Sequence, residues 1–121
     1  MIDISPDRLR SVVSDVFTAA GAPEATAQRV ATSLVDNNLM GHDSHGVLRV
    51  GFYVDSILDG RLDPRGEITV ERQSATTALV DGGNGFGQIV ARQGMDLALS
   101  KAAEHDLGLV AVHHCGHTGR M

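Results

Sequence analysis

The sequence has a single cysteine, Cys115, so it can form no internal disulfide. Cytosolic thiols are held reduced in any case, and Cys115 reads as a free thiol. Positive charge is also scarce: 10 Lys and Arg stand against 15 Asp and Glu, a formal net charge of −5. Such a chain repels phosphate backbones overall and carries no basic stripe, which excludes nucleic acid as an expected partner. No apolar run approaches the ~20 residues that a membrane-spanning helix needs. The N-terminal stretch MIDISPDRLRSVV lacks the basic region and apolar core of a secretory signal. A cytoplasmic protein without a membrane anchor is therefore expected. Internal repeats and low-complexity segments are absent too.

What is present fits one globular domain with a modest core, at 121 residues, 42% hydrophobic and 21% charged. Leu9, Val12, Val13, Val16 and Phe17 recur at steps of three and four, which predicts a helix from Ser5 to about Ala20. Ser5 suits its cap, Pro6 its first turn and Gly21 its end. A second start at Pro23 and Glu24 leads into Val30, Leu34, Val35 and Leu39, predicting a helix that runs to Met40. A third is expected over about 48–58, with Val50, Val54, Ile57 and Leu58 inward, stopping at the turn-rich DGRLDPRG.

Beyond that loop the period changes. EITVERQ alternates Ile68 and Val70 with charged neighbours, and TTALVDG is a β-prone run closed by Asp81 and glycines, so two strands are predicted. Helical spacing returns from Gln88 to about His105 through Ile89, Val90, Met95, Leu97, Ala98 and Ala102, and LGLVAVHH reads as a short buried strand. The fold class is α/β (α+β): a helical segment over 1–60, then the start of a sheet domain over 61–121. About three strands with no further covering helix make a marginal sheet, so a fragment or truncated product is expected.

Three stretches carry chemistry. GHDSHGVLR (41–49) supplies imidazoles that exchange protons near neutral pH, a hydroxyl that can orient or relay, and an arginine that can hold a carboxylate bidentately. These are parts of a 2-oxo acid site. The same stretch also fits an ordinary helix C-terminus, in which Gly41 caps and Asp43 or Ser44 begins the next helix. DGGNGFGQ (81–88) invites a dinucleotide reading but gives G-x-G-x-G, with the third glycine one position too early and no acidic residue closing the next strand. No lysine followed by Ser or Thr offers a phosphate loop, and a tight turn with close helix packing is the preferred reading. HHCGHTG (113–119) raises zinc as a candidate, with His113, His114, Cys115 and His117 beside His42 and His45. Adjacent histidines on a strand point to opposite faces, and neither paired C-x-x-C nor H-E-x-x-H spacing occurs, so no metal is expected.

GHDSHGVLR, DGGNGFGQIVARQGMDLAL and LGLVAVHHCGHTGRM, in this order and spacing, resemble the type 2 malate/L-lactate dehydrogenase family across essentially the whole chain. The resemblance implies a non-Rossmann α/β fold and hydride transfer between NAD or NADP and a 2-hydroxy/2-oxo acid. It implies that Ser44 and His45 are the relay and the proton donor or acceptor, and that Arg49 grips the substrate carboxylate. His117, Thr118, Gly119, Arg120 and Met121 match a segment that contacts the nicotinamide dinucleotide. Some relatives give acid/base duty to the second histidine, His117, so the proton carrier stays open between it and His45. The family's length, nearly three times greater, implies an N-terminal portion that is inactive by itself, and a homodimer as the full-length protein. The alternatives from other classes are a non-catalytic packing or dimerisation module and a metal-binding domain.

Overall fold

The computed structural model describes residues Ile2–Arg120, which fall into two compact units. One runs through Arg65 and includes Gly119 and Arg120; the other is Gly66–Thr118.

The first unit is helical. Helix α1 (Pro6–Ala19) begins as its sequence dictates: Ser5 takes the N-cap, its Oγ accepting from the Arg8 N–H at 3.4 Å, and proline enters the first turn. Its end closes with the Gly21 N–H on the Thr18 carbonyl and the Ala22 N–H on that of Phe17. Helix α2 (Glu24–Leu39) presents Ala27, Val30, Ala31, Leu34 and Val35, all buried, at the spacing of a single face. It packs on α1. Arg10 of α1 donates to Asp36 of α2 at 2.7 Å and to Asp7 at 2.9 Å, and the Asp36 carboxylate raises the arginine pKa further above its ordinary value.

Helix α3 (Arg49–Leu58) forms where expected, with Val50, Val54 and Ile57 half-buried, but Leu58 does not turn inward. Its buried residues are Tyr53 and Ser56, whereas Leu58 is 77% exposed. The cause is tertiary: the Tyr53 ring lies 6.1 Å from that of Phe17 on α1, and seating it there rotates Leu58 into solvent. Ser56 tolerates burial because its hydroxyl donates to the Phe52 carbonyl at 2.8 Å.

The second unit holds a three-stranded sheet in the order β1 (Thr69–Gln73), β2 (Thr77–Gly85), β3 (Leu109–Cys115). Strands β1 and β2 are antiparallel; β2 and β3 are parallel, joined across helix α4 (Gly87–His105). Ala78, Val80, Phe86 and Val90 form its buried core. Two expectations are corrected here. The glycine run does not form a turn after β2; the strand continues through it to Gly85, with a register shift against β3 between Asp81 and Gly85. Nor is β3 a buried strand: it is the sheet's edge, with Leu109 60% exposed and none of its residues fully buried.

The Phe17–Tyr53 pair gives a direct test of the α3 face. Phe17→Ala should cost about 3–5 kcal/mol of unfolding free energy in urea denaturation, as large-to-small changes of buried aromatics do. Leu58→Ala should stay within about 0.5 kcal/mol, as exposed positions do.

Candidate functional site

In the first unit, α2 ends in two asparagines that the apolar periodicity does not single out. The Gly41 N–H bonds the Asn38 carbonyl at 3.0 Å and the His42 N–H that of Asn37 at 2.8 Å, a double closure that releases the chain from the helix. The asparagine side chains then hold the next ten residues in place. Buried Asn37 donates its amide to the His45 carbonyl at 2.8 Å. Asn38 donates to Asp43 Oδ1 at 2.7 Å and accepts the Val47 N–H at 2.9 Å. Between these anchors, Asp43–His45 forms a single 3₁₀ turn. Gly46 lies so close to Asn38 that a Cβ there would overlap its carboxamide. Two adjacent asparagines in a last helical turn were the available signal, since that residue type bonds backbone in preference to extending a helix.

This turn brings Ser44, His45 and Arg49 together. Ser44 Oγ lies 2.9 Å from His45 Nδ1, and Arg49, the first residue of α3, donates its Nε to the Ser44 carbonyl at 2.8 Å. The hydroxyl donates to Nδ1 when the neutral ring carries its proton on Nε2, and accepts from the ring when Nδ1 is protonated. The His42 ring meets that of His45 edge-on, centroids 6.4 Å apart. A proton-exchanging imidazole, an orienting hydroxyl and a guanidinium thus share one short stretch, most of it at the surface.

The second unit contains His117 and Thr118, both partly exposed, while Gly119 and Arg120 belong to the first. Arg120 Nη2 reaches the Met40 sulfur there. Met121 lies outside the described residues. At the start of α4 a Cβ on Gly87 would overlap the carbonyl oxygens of Gly116 and His117, so this glycine permits close backbone packing. The failed dinucleotide fingerprint has its physical counterpart in that packing.

The paired histidines do not take opposite faces. His114 has φ +50°, which breaks the strand alternation and leaves the two rings 4.3 Å apart between centroids. His114 Nδ1 lies 2.9 Å from Asp81 Oδ2, and the Gly83 N–H donates to Asp81 Oδ1 at 2.7 Å. Together the His114 imidazole and that amide hold the Asp81 carboxyl below the usual carboxylate range.

The chain is similar to known proteins. The family model described as malate/L-lactate dehydrogenase matches residues 4–121. The chain is 39% identical to the L-sulfolactate dehydrogenase of Methanothermobacter thermautotrophicus, over 96% of this chain and 34% of that protein. It is 42% identical to the malate dehydrogenase of Pyrococcus abyssi, over 98% of this chain and 33% of that one. Among solved structures, malate dehydrogenase from Pyrococcus horikoshii superposes with a TM-score of 0.92 at 40% identity, covering 98% of this chain and 34% of that one. The chain thus spans about a third of the length of the relatives it matches.

The asparagine clamp is testable without any substrate. Gly46→Ala should destabilise the first unit by about 1–3 kcal/mol through overpacking, and Asn38→Ala by about 1–2 kcal/mol through loss of the Val47 and Asp43 bonds. Because alanine at position 38 makes room for the new methyl, the double variant should cost less than the sum of the two in urea denaturation.

Proposed function

The chain belongs to the malate/L-lactate dehydrogenase family, and from that premise we propose that it is the N-terminal part of an NAD(P)-dependent oxidoreductase interconverting a 2-hydroxy acid and its 2-oxo acid. The observation that carries the reading is the Ser44–His45–Arg49 grouping, with the hydroxyl 2.9 Å from Nδ1 and the guanidinium bonded to the serine carbonyl at 2.8 Å. Arg49 takes the substrate carboxylate, whose planar, two-oxygen geometry matches a guanidinium. In reduction the imidazolium of His45 gives its Nε2 proton to the C2 oxygen and is left neutral with its remaining proton on Nδ1, donated to Ser44 Oγ; in oxidation the free Nε2 takes the substrate proton back. The nicotinamide, when bound, supplies or receives the hydride at C2.

For that cofactor the chain offers the polar loop of His117, Thr118, Gly119, Arg120 and, by resemblance, Met121. Its partly exposed side chains fit contact with a dinucleotide, whereas Gly87 at the start of α4 serves close backbone packing. A cofactor of this size needs a pocket that buries most of its surface, and one loop supplies only part of that. The same reading makes the full-length protein a cytoplasmic homodimer. Leu39, Met40, Leu48, Phe52 and Leu58, all exposed on the first unit, are residues that a partner surface would cover.

In the full-length protein, His45→Ala should lower kcat by about 10²–10⁴, the usual share of a general acid–base group, with cofactor affinity largely unchanged. Arg49→Lys should raise KM roughly 10- to 100-fold, because lysine keeps the charge and loses the fork. A survey of 2-oxo acids with NADH and NADPH reads both effects; near-normal kcat in His45→Ala combined with collapse in His117→Ala would move the proton role to His117. The 121-residue chain by itself should show no turnover and no micromolar affinity for reduced cofactor in a fluorescence titration.

A further inference from the structure

We propose that Asp81, His113 and His114 form a binding site for a divalent first-row metal ion of the zinc class, which pins the end of β3 to β2. The inference is independent of the oxidoreductase reading, since it rests on residues of the second unit that take no part in the proposed proton exchange. One ligand atom from each of the three side chains lies within 4.8 Å of the others. Donors on a zinc tetrahedron with ~2.0–2.1 Å bonds stand roughly 3.3 Å apart, a difference that rotation of these partly exposed side chains can close. Two imidazole nitrogens and one carboxylate are the donor set that zinc and its first-row neighbours take, leaving a fourth position for water.

The register of the sheet brings these residues together. Asp81 and His113 are partners across β2 and β3, and the register breaks immediately after them. At that break His114 takes a left-handed conformation that non-glycine residues rarely adopt, and its ring comes to the side of His113. On the other side of β2, the register of β1 shifts between Val70 and Arg72, and Glu71 occupies the bulge.

A second observation points the same way. His113 Nε2 lies 3.0 Å from Glu71 Oε1, yet this atom is buried and makes no aligned hydrogen bond. A buried ring nitrogen without a well-directed hydrogen-bond partner is one that a bound cation would satisfy. Glu71 lies beside His113 and outside the three-residue ligand group, so the fourth position is left to water. The ion neutralises the Asp81 carboxylate, and the imidazoles bind in their neutral form.

The test is a titration of the full 121-residue chain with Co²⁺, read by its visible d–d absorption, and with Zn²⁺, read by calorimetry. One equivalent of each should bind, with an intense tetrahedral cobalt band, and Zn²⁺ should raise Tm as a ligand of the native state does. His113→Gln and His114→Gln, each checked for native far-UV circular dichroism, should weaken zinc at least about tenfold. Glu71→Gln, which alters a neighbour of His113 and no ligand, should weaken it less. His42→Ala, which removes a histidine from the other cluster, should bind as the parent chain does. Absence of saturable cobalt or zinc binding by the parent chain overturns the proposal. So does undiminished binding in both glutamine variants, or binding lost only in His42→Ala.

Discussion

Two side-chain amides at the end of α2 fix the backbone on which the candidate proton-exchange groups sit. Asn37 holds the His45 carbonyl and Asn38 the Val47 N–H, so residues 43–47 hang between two anchors one helical position apart. A loop with free backbone groups would sample many directions for its imidazole and hydroxyl. Here the directions are set before any ligand arrives, which is what a group acting on a reacting atom requires. The clamp needs a glycine beside Asn38, since any side chain at position 46 would push the carboxamide from its place. The helix end and the chemistry are therefore one device: the closure that terminates α2 also aims Ser44 and His45.

The second unit shows a related economy at a strand. Continuous β2 carries glycines through its last residues, and the register against β3 shifts where they begin. That irregularity allows His114 a backbone conformation that regular pairing forbids and lets the Gly83 amide reach the Asp81 carboxylate. Bulges concentrate where a side chain has to be re-aimed, and two imidazoles and a carboxylate are re-aimed here toward one another. The same glycine-rich stretch ends at Gly87, where backbone from residues 116 and 117 packs closely against the start of α4. Glycine serves close packing at this point, in place of the phosphate-binding turn of a Rossmann fold.

Much of this was legible in the residues themselves. The helices α1, α2 and α3 are written in apolar spacing and in Ser5, Pro6, Gly21 and Gly41, because caps and periodicity act within a few residues of where they occur. The family could be read from GHDSHGVLR with its two companion stretches, and the match over residues 4–121 agrees. Adjacent asparagines signal a helix end, but what Asn37 and Asn38 anchor was not legible, since those partners lie eight and nine residues away.

Sequence alone determined the order of elements, the helix ends and the placing of Ser44, His45 and Arg49 on one short stretch, all of which depend on local steric and hydrogen-bonding preferences. Tertiary structure decided which α3 residues are most deeply buried, because Tyr53 is seated by Phe17 from a different helix and Leu58 is left outside. It also decided that His113 and His114 share a side, because a register shift between two strands, joined only through α4, overrides the alternation that either strand would keep by itself.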